Sequence, residues 1–192
     1  MATAGPTPQK RGEKLRRAVL DATLERIERE GIDRVRIAEV AVAAGVHETS
    51  IYRRWGTLPQ LLLDALLSRV DEDIPIPDTG SVVADLTEFM RSLIAFCRSP
   101  VGSALVRGGS LADDPDVATA RADFWAVRMA ASEEIVRRAV AAGELRPDTD
   151  PHLVIAMLGG LVHMYVTQFD GAMPDDLPET AVALVLRGAV GP

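Results

Sequence analysis

Hydroxyl, phenol and guanidinium side chains are concentrated in a short stretch near the front of the chain. Hydroxyl groups hydrogen-bond to phosphate oxygens, and arginine either binds phosphate or contacts guanine through two parallel hydrogen bonds. This combination predicts contact with the backbone and the base edges of a nucleic acid. The side chains in question are Thr49, Ser50, Tyr52, Arg53 and Arg54.

Two short helices that meet at a glycine must position these side chains. Apolar residues at i, i+3, i+4 and i+7 predict a helix over 37–44. Gly45 ends this helix, because glycine readily adopts a left-handed backbone, and a second helix follows over 48–54, with Ile51 and Trp55 facing inward. In a helix-turn-helix the second helix lies in the major groove. An αα-hairpin with a glycine turn is also a common structural motif, so the geometry alone leaves that interpretation open.

The rest of the sequence also predicts helices. Only 4% of the 192 residues are aromatic, alanine is abundant, and apolar residues recur near the 3.6-residue period. The predicted fold class is therefore all-α, with a three-helix unit in front of a larger helical unit. We expect a flexible arm over 1–12, a helix-turn-helix unit over 13–56, a connecting helix over 57–74 that Thr57 caps, and a second unit over 75–192.

Charge is distributed unevenly along the chain. Residues 1–70 hold 12 Lys and Arg against 9 Asp and Glu, a net charge of +3, whereas residues 71–192 hold 9 against 19, a net charge of −10. Only the first part therefore favours phosphate, and its basic residues are densest before position 18. A solvated basic helix face explains this cluster equally well when the cluster is taken by itself.

Other function classes find little support. No stretch is apolar over the roughly 20 residues that a membrane helix needs, so we expect a soluble, cytoplasmic protein. An enzyme is the main rival, but the Gly-x-Ser-x-Gly, phosphate-loop and Gly-x-Gly-x-x-Gly motifs are absent, and the three histidines lack the spacing of zinc ligands. We predict no enzyme activity, no cofactor and no metal. Cys97, the single cysteine, is predicted to be a buried structural thiol, with a reactive sensor thiol as the alternative.

The order of these features resembles the DNA-binding domain of the TetR family of transcriptional regulators. A first helix ends in glycine, a turn of the form Ile/Val-Ala-x-x-Ala-Gly-Val follows, and then come a hydroxyl pair, a tyrosine and, three residues later, an aromatic residue. The resemblance extends from Glu13 to about Leu67, with a weaker similarity over 143–151. The matching residues are Gly31, the run from Val40 to Val46, Thr49, Ser50, Tyr52 and Trp55.

The resemblance implies a ligand-responsive regulator, in the simplest case a repressor that a small apolar effector releases from a palindromic DNA operator; an activator is the alternative. It implies a homodimer of all-α subunits whose last two helices form a four-helix interface, with an effector pocket in the larger ligand-binding and dimerisation domain. By position, the DNA-contacting residues of the family correspond to Glu48, Thr49, Ser50, Tyr52, Arg53 and Arg54.

Three positions depart from the family pattern. Leu58 stands where the family usually has a lysine, which removes an expected phosphate contact. Arg36 replaces a threonine that often caps the second helix, and it either binds phosphate, as a further DNA-binding residue, or is solvated. Glu48 either accepts a hydrogen bond from cytosine N4 or repels phosphate. Leu58 and the low net charge leave open a ligand-binding or scaffolding protein that has lost DNA affinity.

Residues from three predicted helices of the larger unit are candidates for lining the effector pocket. Trp125 and His163 have polar tips, although a core histidine is the more common explanation of His163. For each of the others, ordinary core is the alternative. The candidates are Phe89, Met90, Leu93, Phe96, Phe124, Trp125, Met129, Met157, His163 and Met164. The helix before Gly143 is predicted to bury Phe124, Val127, Ala131, Ile135 and Ala139.

Overall fold

The computed structural model describes residues 8–107, 115–169 and 171–187, and no β-strand occurs among them, so the predicted all-α class is confirmed. None of the described helices is long and apolar enough to cross a membrane. The helices are α1 (Pro8–Glu30), α2 (Ile37–Ala44), α3 (Glu48–Trp55), α4 (Leu58–Asp73), α5 (Val82–Arg98), α6 (Pro100–Arg107), α7 (Pro115–Ala141), α8 (Pro151–Gln168) and α9 (Leu177–Arg187), with a 3₁₀ turn over Ile32–Arg34.

Helices α1 to α4 form the first unit, in which α1 packs against both α2 and α4. The turn between α2 and α3 has the expected form. Gly45 lies in the left-handed region at φ 66°, and the Val46 N–H donates to the Ala41 carbonyl at 3.0 Å, which satisfies an end carbonyl of α2. Ile51 and Val40 are fully buried beneath this turn. The apolar contacts therefore hold α2 and α3 at a set angle.

Helix α4 connects the two parts of the chain. It begins where predicted, because the Thr57 hydroxyl accepts the Gln60 N–H at 3.4 Å as an N-cap. It packs against α1 and α3 of the first unit and against α5, α6 and α7 of the second. A displacement of α4 would therefore change packing contacts in both units.

Helices α5 to α9 form the larger unit. Helix α5 is central and packs against α6, α7, α8 and α9. Asp150 caps α8 by accepting the N–H groups of His152 at 2.9 Å and Leu153 at 3.3 Å. Leu86 and Leu158 are fully buried in this core. The packed core holds α5, α7 and α8 around the space described below.

Two predictions of local structure were wrong. Helix α1 begins at Pro8, so residues 8–12 are not an arm; proline suits the first position of a helix, and Gln, Lys and Arg follow it. Residues 1–7 of the predicted arm lie outside the described residues. In α7, Val127 was predicted to be buried but is 72% exposed. The buried face of α7 instead includes Arg128 and Ser132, which are joined by a hydrogen bond, and hydrophobicity does not select polar residues as buried.

Candidate DNA-binding surface and effector cavity

Helix α3 has one face buried in the core and the opposite face exposed to solvent. Ile51 is fully buried and Trp55 is 7% exposed, as predicted, which anchors the helix through two residues one turn apart. Tyr52 is 50% exposed, and Arg53 and Arg54 are exposed. A phenol and two guanidinium groups therefore project from the outer face of a rigidly anchored helix, in a geometry suited to a DNA groove.

The remaining predicted DNA-binding residues lie around the helix ends. Glu48 and Thr49 are exposed at the start of α3, and Ser50 is half-buried. Arg54 lies with its guanidinium 5.6 Å from the Trp55 ring centroid, so its position is partly determined by that ring. Arg36 is exposed at the start of α2, where its Nη1 donates to the backbone carbonyls of residues 33 and 35 at 2.9 Å. The structure thus places all seven residues in the first unit, on or beside α2 and α3.

A carboxylate that sequence reasoning missed connects three helices. Asp64 of α4 accepts hydrogen bonds from Arg16 of α1, at 2.7 and 3.3 Å, and from the indole Nε1–H of Trp55 at 2.9 Å. The hydrogen bond that Arg16 donates to the Asp64 carboxylate raises the pKa of Arg16. Asp64 is the single carboxylate among the strongly apolar residues 61–67, and that isolation is the signal that predicts an internal partner. Through Trp55, Asp64 links α4 directly to α3.

We expect the D64N variant to bind DNA about tenfold more weakly than the wild type. The substitution removes the charge that holds Arg16 and weakens the acceptor for Trp55. The free energy of unfolding should fall by only about 1 kcal/mol, because the Arg16–Asp64 ion pair is about one-third exposed. Thermal melting and a gel shift measure the two effects. D73N is the control, since Asp73 pairs with Arg69 on the same helix. Equal DNA affinity in D64N and D73N would contradict the link.

A cavity of about 370 Å³ lies in the larger unit, bounded mainly by α5, α7 and α8. Its volume falls within the range of small-molecule sites, roughly 300–1,000 Å³. Five of the ten predicted pocket residues line it, from all three of the predicted helices. The lining consists of Ile74, Phe89, Leu93, Cys97, Val106, Arg121, Trp125, Arg128, Met129, Ser132, Ile155, Gly159, Val162 and His163.

The other five predicted pocket residues lie elsewhere. Met90 and Phe96 are buried in the core, and Phe124 packs edge-on against Trp125 with ring centroids 5.5 Å apart. Met157 and Met164 are 52% and 42% exposed on the outer face of α8. Ile155, Gly159 and Val162 of α8 face the cavity. Met157 and Met164 each lie two positions from one of these residues and therefore face away from the cavity.

Polar residues of the cavity wall were also missed. Arg121, Trp125, Arg128 and Ser132 share one face of α7, at spacings of four, three and four residues. Arg128 donates to the carbonyl of Ile74, and Ser132 donates to the Arg128 carbonyl at 3.0 Å. Arginines in phase with Trp125, already a pocket candidate, are the sequence signal that could have identified this polar stripe.

Cys97 lies in the cavity wall and is 7% exposed, in agreement with the prediction of a buried thiol. Burial raises the pKa of the Cys97 thiol to about 11, because the apolar surroundings disfavour the thiolate. We expect 5,5′-dithiobis(2-nitrobenzoate) to modify the folded protein at pH 8 about 100-fold more slowly than an unfolded thiol, since only the thiolate reacts. The guanidinium-unfolded chain should react rapidly with one thiol. Rapid reaction of the native protein would instead support a sensor thiol.

The fold and the exposed face of α3 define a helical, helix-turn-helix transcriptional regulator. Residues 19–65 match the family model described as bacterial regulatory proteins, tetR family, and residues 76–185 match the model described as Tetracyclin repressor-like, C-terminal domain. The chain is 47% identical to the HTH-type transcriptional regulator AqdR of Rhodococcus erythropolis over 186 residues, which cover 96% of this chain and 90% of that protein. This chain belongs to the TetR family.

Solved structures agree with this assignment. The TetR family transcription regulator SCO0332 superimposes with a TM-score of 0.80 at 31% identity, covering 93% of this chain and all of that one. The regulator FadR of Bacillus subtilis, solved in complex with stearoyl-CoA, has a TM-score of 0.63 at 17% identity and covers 90% of this chain and 98% of that one. The second similarity concerns the fold alone.

Proposed function

We propose that this protein is a homodimeric repressor that an effector in the α5–α7–α8 cavity releases from its operator. The observation that carries the proposal is that α4 reaches both sites. Its C-terminal end meets the cavity at Ile74, whose carbonyl accepts a hydrogen bond from Arg128 in the cavity wall. Toward its other end, Asp64 bonds the Trp55 indole of α3. Effector binding against Ile74 and Arg128 therefore displaces α4, and with it the DNA-binding helix.

Tyr52 and Arg53 are the principal DNA contacts in this proposal. Their side chains are exposed, and they combine a hydroxyl donor with a guanidinium fork. Glu48, Thr49, Ser50, Arg54 and Arg36 contribute from the ends of α2 and α3. We assign DNA binding to 13–56, the connection to 57–74, and effector binding and dimerisation to 75–192. In the dimer the two α3 helices lie about 34–36 Å apart and bind a near-palindrome.

Helix α8 supports dimerisation through the last two helices. Its residues, Pro151 to Gln168, include no Asp, Glu, Lys or Arg, although 26% of the chain is charged. Leu153, Met157 and Met164 nevertheless are exposed on it. Leu184 is also exposed on α9, which packs against α8, and exposed apolar residues of this kind mark a protein interface. We call these four residues the α8–α9 surface.

The cavity lining supports a largely apolar effector. Phe89, Leu93, Met129, Ile155 and Val162 contribute hydrocarbon surface, and Trp125 contributes an indole. Such a wall binds hydrocarbon or aromatic groups by excluding water, while a few polar groups orient the ligand.

A gel shift and a transcription reporter test the proposed function. We expect the purified protein to bind DNA from upstream of its own gene, with a footprint over two symmetric half-sites and an affinity that falls steeply with salt. A reporter driven by that DNA should be less active when the protein is present. Increased reporter activity would indicate an activator. Absence of any specific DNA binding would overturn the proposal and favour a ligand-binding or scaffolding protein.

A further inference from the structure

The charged groups among the described residues of the cavity wall are all positive. Arg121 and Arg128 line the cavity, and no Asp or Glu occurs among the described residues that line it. This is the reverse of the surrounding sequence, because residues 71–192 carry a net charge of −10. A cavity whose described charged lining residues are both cationic, within an acidic domain, favours an anion over a cation or a neutral molecule.

Among the two arginines of the cavity wall, Arg121 is the one without a hydrogen-bond or ion-pair partner among the described residues. Arg137 pairs with Glu133, Arg146 pairs with Asp148, and Arg128 is bonded to the Ile74 carbonyl. Arg121, by contrast, is half-buried and makes no hydrogen bond or ion pair with the residues that the structure describes. A guanidinium has five N–H donors in a planar fork, and those of Arg121 are available to a ligand.

We propose that the effector is an amphipathic carboxylate, whose acid group binds to Arg121 and whose apolar body occupies the cavity beside Phe89, Leu93 and Trp125. This inference rests on the proposed effector role of the cavity and names its ligand class. Arg121 and Trp125 lie one turn apart on α7, so a head group at the first places the adjoining hydrocarbon against the second. The cavity thus has one cationic anchor and an extended apolar wall.

A carboxylate head group is favoured because a neutral one would bind Arg121 at a higher free-energy cost. A neutral ligand would remove water from the Arg121 guanidinium without supplying an acceptor of opposite charge, which is unfavourable. A carboxylate matches the fork with two parallel N–H···O bonds and neutralises the charge. Arg128, about 10 Å along the helix by the rise of seven residues, is already bonded to Ile74 and keeps that structural role.

Matched pairs of alkyl probes test this assignment in the full-length protein without DNA. Octanoate, decanoate and dodecanoate are titrated by calorimetry beside octanol, decanol and dodecanol, so that each pair shares its apolar chain and differs in the head group. We expect at least one carboxylate to bind at least tenfold more tightly than its alcohol. In R121M the carboxylate should bind as weakly as the alcohol. R121K should retain part of the preference for the carboxylate. R137M, which changes an exposed residue of the same helix, should retain the whole preference.

The inference is overturned if the alcohols bind as tightly as the carboxylates, if R121M keeps the wild-type preference, or if none of the three carboxylates binds. Melting temperatures equal to that of the wild type show that R121M is folded. Because these titrations contain no DNA, their outcome is independent of the gel shift. If the protein binds decanoate but no operator, the ligand assignment stands and the repressor proposal fails. If it binds an operator but none of the carboxylates, the repressor proposal stands and the ligand assignment fails.

Discussion

We expect the replacement of both Tyr52 and Arg53 with alanine to lower the affinity of the protein for its operator by about 1,000-fold. Both side chains project from α3 into solvent, so their removal leaves the fold intact. In a symmetric dimer the double substitution removes four contacts, and at about 1 kcal/mol each the total corresponds to three powers of ten. Fluorescence anisotropy with labelled operator DNA at several salt concentrations measures the loss. The salt slope should decrease by about 2, one for each Arg53.

The control for this experiment is R137A, which removes the same charge from α7. Arg137 is exposed and pairs with Glu133 and Glu134, far along the chain from α3. It should bind the operator as the wild type does. If R137A lost as much affinity as the double variant, net charge alone would explain the binding. If the double variant kept wild-type affinity, α3 would not be the DNA-binding helix.

We expect a glutamate in place of Met157 to raise the dissociation constant of the proposed dimer by about 1,000-fold and to reduce operator binding with it. Met157 is 52% exposed in the single chain and lies on the α8–α9 surface, so the subunit itself tolerates the change. In a two-fold interface the same patch is present on both subunits, and each new carboxylate is buried without a partner, at a cost of about 2 kcal/mol or more. Analytical ultracentrifugation across micromolar concentrations measures the shift.

Val127 provides a matched control, because it is an exposed apolar residue of α7 outside the α8–α9 surface. V127E should remain dimeric and bind operator normally. A dimer that survives M157E but dissociates in V127E would place the interface on α7. A protein that is monomeric without any substitution would remove the dimer from the proposed function altogether.

The helix-turn-helix was predicted closely because its determinants are local. The predicted helix over 37–44 has the observed bounds of α2, and Gly45 has the left-handed backbone that its position required. Thr57 caps α4 as its spacing from Gln60 indicated. Apolar spacing, a glycine turn and a capping hydroxyl each act within a few residues, so the sequence carries the whole pattern.

The pocket was predicted only in part, since a cavity is formed by residues that are distant in the chain. Hydrophobicity correctly brought Trp125 and Leu93 to its wall, but it also selected Met157, which lies on the α8–α9 surface. Periodicity shows that a helix has an apolar face. It does not show whether that face meets the core, a cavity or the surface of the molecule.

By itself the sequence determined the all-α class, the order of the helices and the exposed face of α3, because short-range spacing and backbone preference control these features. Only the tertiary structure decided that Asp64 bonds Trp55, that Arg128 holds the end of α4 at Ile74, and that Arg121 is left in the cavity wall without a partner among the described residues. The physical reason is that such polar contacts join separate helices, and their partners are selected by packing geometry that no local pattern records.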